Sequence, residues 1–159
     1  MKKILAVSVL LFVWCNMLVL LTFQTAPAAL VTAEDPDVIV AMAKGYGSAI
    51  LDKDRDGDPK ISCRMDGKAY TIFFYGCSNG KNCTSIQLWA SWDKKLEYND
   101  VNAWNKKTRY TRAYIDEDGD FTLELDIMLR SGITEKSLDQ YFGIWQSRIK
   151  AFKKEVLKE

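Results

Sequence analysis

The sequence predicts an α+β fold: one antiparallel β-sheet of about five to six strands, helices packed on one face, order α-β-β-β-β-α-β-β-α. Three observations carry that expectation. Tyr70-Thr-Ile-Phe-Phe-Tyr-Gly-Cys77 and Cys83-Thr-Ser-Ile-Gln-Leu-Trp-Ala-Ser-Trp92 crowd aromatic and β-branched residues into two arms around Ser78 to Asn82. Phe121, Leu123, Leu125 and Ile127 alternate with Thr122, Glu124 and Asp126, the period of a strand with two unlike faces. Leu138, Phe142, Trp145, Ile149, Phe152 and Val156 recur every three or four residues, a helical stripe of the right width to cover a sheet.

Composition bounds the rest. The 159 residues, 48% hydrophobic and 27% charged, suit one globular domain with a real core. The chain has no histidine, so the usual proton shuttle and the commonest metal ligand are both missing. Its net charge of +1 includes Lys2 and Lys3 of the leader; without them 20 basic side chains face 21 acids. A near-neutral domain has no global attraction for nucleic acid or an anionic membrane, and neither is expected as a partner.

In chain order, Lys2-Lys3, the apolar run Ile4 to Phe23 and Ala26-Pro-Ala28 read as a secretory signal peptide over 1–28. A periplasmic or secreted location follows, and with it a compartment that permits disulfides. The alternative is an uncleaved anchor facing outside the cytoplasm, because the run is long enough to span a bilayer. Cys15 follows Phe12-Val-Trp14 rather than the small residues of a lipidation site. Residues 29–34 are expected as a short linker before a single domain over 35–157.

Asp35 is the expected N-cap of a first helix, with Pro36 at its first position, Val38, Met42 and Val40 buried, and Gly45 as C-cap. Ala41 to Gly47 has neither the glycine spacing nor the following helix of a phosphate loop. Ser48 to Leu51 reads as a short strand. Asp52-x-Asp54-x-Asp56-Gly57-Asp58 copies the front half of a calcium loop, but position twelve is Cys63 and Pro59 intrudes. The expectation is a solvated acidic turn.

Lys60 to Met65 and Lys68 onward form a hairpin around Asp66-Gly67, which sets Met65 opposite Lys68 and Cys63 opposite Tyr70. Cys63 is then far along the strand from Cys77 and is expected as an inert buried thiol, the alternative being a link to a partner chain. Cys77 and Cys83 stand at the two ends of the next connection, where facing strand positions come within disulfide range; a Cys77–Cys83 bond is expected there.

Leu96 to Lys107 reads as a crossing helix with Val101 and Trp104 as anchors and Asn99 as a cap. Asn102 and Asn105 suit local backbone bonding around a buried indole better than recognition. Arg109 to Ile115 and Phe121 to Ile127 then pair around Asp116–Asp120, a second acidic turn. Arg112 is expected to reach Glu124 or Asp126 on the wet face as an ordinary ion pair. Thr134 caps the last helix, whose bulky stripe covers the sheet rather than making a coiled-coil seam, with a homodimer through it left open.

Gly57-Asp-Pro59, Phe74-Tyr-Gly-Cys77 with Cys83-Thr-Ser-Ile86, Val101-Asn-x-Trp-Asn105, and Arg112-Ala-Tyr-Ile-Asp116 with Asp118-Gly-Asp120 together resemble the YbjN domain family. The resemblance spans roughly residues 35 to 155 and implies a bacterial protein of a family associated with sensory-transduction regulation. It further implies a fold like that of type III secretion chaperones, whose members commonly dimerise and bind extended client segments. It brings no catalytic residues.

Three functions remain to be weighed. The first is an exported, non-enzymatic binding or regulatory module with a protein partner, docked at a sheet edge or beside the last helix. It takes no cofactor, and no catalytic or metal-ligating set is assigned. The alternative is a carboxylate- or metal-dependent envelope enzyme, or a calcium-binding protein, using residues 52–58. The third is a thiol-redox protein using Cys77 and Cys83, whose spacing is unlike the Cys-x-x-Cys of redox enzymes.

Overall fold

Alternating apolar and polar residues build six strands: β1 (Ser48–Lys53), β2 (Pro59–Met65), β3 (Lys68–Tyr75), β4 (Ser85–Trp92), β5 (Arg112–Ile115) and β6 (Phe121–Met128). The computed structural model describes residues 29–158, so the expected leader over 1–28, Cys15 included, lies outside the described residues. All neighbours pair antiparallel, in the order β1-β2-β3-β4-β6-β5. The one break in sequential order follows from helix α2 (Tyr98–Lys107), which crosses from β4 so that β6 takes the inner place and β5 the edge. This is the α+β order read from the sequence.

The Asp66-Gly67 turn fixes the first register as expected, with Met65 opposite Lys68 and Cys63 opposite Tyr70. Because side chains alternate, the register sorts them into two faces. Ile61, Met65, Ile72, Phe74, Leu88, Ala90, Phe121, Leu123 and Leu125 all lie on the inner face and are essentially sealed from solvent. Helices α1 (Pro36–Lys44), α2 and α3 (Glu135–Phe152) pack on that face. Thr134 caps α3 by accepting from the Ser137 N–H. The α3 stripe Leu138, Phe142, Trp145, Ile149 and Phe152 is wholly buried, each side chain contributing about 1.5–3 kcal/mol. Phe152 is a hub: its ring stacks 4.0 Å from Phe121, lies 4.9 Å from Trp92 and meets Trp104 of α2 edge-on at 5.2 Å. Tyr46 ties the end of α1 to α3, its hydroxyl donating to the Asp139 carboxylate at 2.7 Å.

Several local expectations shift. In α1 the sealed residues are Ile39, Val40 and Ala43, while Val38 and Met42 are half-buried at its flank. The helix presents its stripe to β1 and β2 rather than burying the turn nearest its cap. Asp35 is the N-cap and Pro36 the first residue, as expected. Helix α2 starts at Tyr98 with Glu97 at the cap position and no side-chain cap bond, so Asn99 is inside the helix. At the C-terminus, a π-helical turn, Lys153–Leu157, advances the register by one residue; Leu157 is buried and Val156 only partly so. The stripe's period holds only while the α-helix does. Val31 and Ala33, in the stretch expected as linker, are buried, and Val31 exchanges backbone bonds of 2.7 and 3.0 Å with Ile133.

Candidate binding edge and open sheet face

The outer face carries no helix among the described residues, and its rows follow from the register. One row runs Ile50, Ser62, Thr71, Trp89, Glu124, Arg112; the next runs Asp52, Lys60, Phe73, Gln87, Asp126. Alternation alone expects this face to be wet. It is wet over β1–β3, but Thr122 is sealed and Glu124 only 5% exposed. The reason is side-chain cover. Arg112 lies over Glu124 as an ion pair, its Nε donating to the carboxylate at 3.1 Å, and the Tyr114 hydroxyl donates to the other oxygen at 2.6 Å. That bond and the charge of Glu124 hold the Arg112 guanidinium above its ordinary value, against some burial. Burial, then Glu124, also raises the Tyr114 phenol. Of the two expected acids, Arg112 therefore takes Glu124, while Asp126 accepts from the Gln87 amide at 2.8 Å. Tyr75 donates to Gln87 at 3.3 Å, and its phenol is raised by burial and by Glu124, Asp126 and Asp54. The rings of Tyr75, Phe73 and Trp89 form a trail across β3 and β4, with centroids 6.5 and 6.1 Å apart.

The edge strand β1 is the least protected part of the sheet. Of its six residues only Ala49 is buried; Ile50 is 68% exposed toward the open face and Leu51 39% exposed toward the helices. Beside Leu51 lies a pocket of about 270 Å³ between Pro36 of α1 and Pro59 of β2. An edge strand presents unpaired backbone N–H and C=O groups on its outer side. Here that row has an apolar pocket on one side and an apolar side chain on the other.

Both acidic turns satisfy their own backbone. Asp54 Oδ1 accepts from Asp56 N and Asp58 N at 3.0 and 2.9 Å, and Asp116 Oδ1 accepts from Asp120 N at 2.8 Å. The Asp54 to Asp56 bond is an Asx turn, and in both loops one carboxylate oxygen is spent on the loop's own backbone. Among the described residues no cluster of three or more acidic or cysteine side chains is arranged to hold a metal ion.

The structure carries a Cys77–Cys83 disulfide, compatible with the pairing expected from sequence. The cysteines sit outside the strands, however: β3 ends at Tyr75 and β4 begins at Ser85, so the connection is longer than the expected 78–82. Gly76 breaks the ladder with φ +65, and a Cβ there would meet Thr84 Oγ1 at 2.3 Å. Cys63 is free and buried, and burial pushes its thiol up to about 11. Asn105, expected to bond backbone near the Trp104 indole, does so by clasping edge strand β5: it accepts from Ala113 N and donates to Ala113 O, both at 2.9 Å. Asn102 is exposed.

A family model described as "Putative bacterial sensory transduction regulator" matches residues 35–158, nearly the whole described chain. The chain belongs to the YbjN family. No curated protein matches it. The YbjN match spans the sheet, all three helices and the π-helical turn, so the β1 edge and the open face both lie within it. What sequence reasoning missed was the edge pocket. Pro36, Leu51 and Pro59 are far apart in sequence, and only the β1–β2 register and the docking of α1 bring them together.

Proposed function

We propose that this YbjN protein is an exported, non-enzymatic regulatory module that acts by contact, adding an extended segment of a protein partner to the free edge of β1. The observation that supports the reading is the edge itself: a six-residue strand with exposed Ile50 and Leu51 and the Pro36–Leu51–Pro59 pocket alongside. Strand addition draws affinity from main-chain hydrogen bonds and specificity from pockets for alternate side chains. An added strand meets both here, one side chain entering the pocket and the next lying along Ile50. Natural edge strands usually carry charge or proline against such pairing. In β1 the charges are confined to Asp52 and Lys53 at its end. The regulatory character comes from the family; export and the protein partner belong to the proposal.

The experiment is capture of a partner from envelope extract by the full-length chain, with the contact located by cross-linking. Leu51→Lys together with Ile50→Lys is expected to lose the partner while the melting temperature holds. Met128→Lys, at an exposed position in an inner strand, is expected to keep it. A partner cross-linked away from β1, or a substrate turned over by the purified chain, overturns the proposal.

A further inference from the structure

Beyond edge pairing, the open face has a shaped depression of its own. In the row between the Ile50 side chain on β1 and the Trp89 indole on β4, strands β2 and β3 present the small side chains of Ser62 and Thr71 outward. The result is a groove of about 530 Å³ whose floor is Ser62, Thr71 and Ser91. A second depression shares Ser62 and Thr71 and continues it toward Phe73. The trough thus has an aromatic wall, an aliphatic wall and a hydroxyl floor.

Its chemistry excludes several classes of occupant. No carboxylate lines the main groove; Asp54 and Asp56 line only the second depression, beside Arg55 and Lys60, and Asp54 already accepts from the Asp56 and Asp58 N–H groups. The main groove's two cations are engaged elsewhere. Arg64 Nη1 donates to Gly67 O at 2.8 Å, and the Lys68 ammonium donates to the Ser91 carbonyl and lies 4.1 Å from the Trp92 ring centroid. An anion therefore gains little. Nor does an extended peptide fit across this face, because strands β2 to β4 spend their backbone groups on one another and leave the peptide's own unpaired. Hydroxyls, by contrast, both donate and accept, and they match a ligand rich in hydroxyls. A flat ring offers an apolar platform whose edges remain in water.

We infer that this trough binds a neutral saccharide, one sugar ring lying on Trp89 and its hydroxyls exchanging hydrogen bonds with Ser62, Thr71 and Ser91. A sugar ring is itself two-sided, with C–H groups on its faces and hydroxyls around its rim. That pattern is the complement of an aromatic wall beside a hydroxyl floor. The apolar Ile50 side chain closes the opposite side. The inference does not depend on a partner at β1, although Ile50 borders both surfaces.

The test titrates the full-length chain with chitotetraose, cellotetraose and maltotetraose, followed by calorimetry and by the indole N–H resonances. At least one tetrasaccharide is expected to bind at millimolar concentration or below. It should shift the Trp89 resonance and leave those of buried Trp104 and Trp145 in place. Trp89→Ala is expected to weaken binding at least about tenfold, and Ser62→Leu, which fills the floor, to abolish it. Tyr98→Ala, exposed on α2, leaves it unchanged. No binding by any of the three overturns the inference, as does binding that survives Trp89→Ala, or a protein segment cross-linked into the trough. Leu51→Lys separates the two surfaces: it points to the helix side and is expected to spare saccharide binding while removing the edge partner.

Discussion

The two faces of one sheet obey different rules in this protein. On the inner face Tyr70, Phe74 and Phe121 are sealed beneath the helices, Tyr70 beside Trp145 and Phe121 stacked on Phe152 of α3, so their burial holds the fold together. On the outer face Phe73, Trp89 and Tyr114 are half-covered, Phe73 against Trp89 edge-on and Tyr114 against Glu124. Equal aromatic content thus serves stability on one side and leaves surface available on the other. The difference teaches that an aromatic residue in a strand carries no role until its covering layer is known.

The strongest way to break this contrast is a matched pair of truncations. Trp145→Ala is expected to cost about 3–5 kcal/mol by leaving a cavity, read as a collapse in thermal or denaturant midpoint. Trp89→Ala is expected to cost under about 1 kcal/mol, close to the range of surface changes. Equal losses would show the open face to be structural.

Next in size is the disulfide, which belongs to neither face. Cys77→Ser with Cys83→Ser is expected to lower stability by about 2 kcal/mol in the chain-entropy model for so short a loop, measured by urea unfolding. An unchanged midpoint would assign the bond no structural role. Glu124 sharpens the contrast from the outer side, because it is the one charge buried there. Glu124→Leu leaves Arg112 solvated but the Tyr114 hydroxyl without its acceptor, and a loss of about 1–2 kcal/mol is expected.

The smallest effect concerns Cys63 on the inner face. Its folded thiol is raised from 9.0 to about 11 by burial. A group whose folded value exceeds its unfolded one contributes stability that is complete below the unfolded value and is lost as pH rises toward the folded one. Stability is therefore expected to fall between about pH 9 and 11, and Cys63→Ala should flatten that decline. Native protein should also resist iodoacetamide at pH 8, since only the thiolate reacts.

Much of this was legible because it is local. Asp66-Gly67 fixed the β2–β3 register, Thr134 and Asp35 marked helix starts, and the α3 stripe announced its buried side through periodicity. Where expectations slipped, a distant residue intervened. Val156 gave way to Leu157 because the last turn of the chain widens to a π-helix, which no spacing rule anticipates. Thr122 and Glu124, polar and alternating correctly, were read as wet. Glu124 is buried because Arg112 and Tyr114 from a neighbouring strand lie over it, and the Thr122 hydroxyl turns to the Asp116 carboxylate at 3.3 Å.

By itself, then, the sequence determined the elements, their order and the sheet's two-sidedness, since propensity, capping and periodicity act over a few residues. Which face stayed open, which edge stayed unpaired, and how Pro36, Leu51 and Pro59 came to share a pocket were settled only by tertiary structure. Helix docking and strand order join residues that the chain keeps far apart, and a short-range pattern carries no information about such contacts.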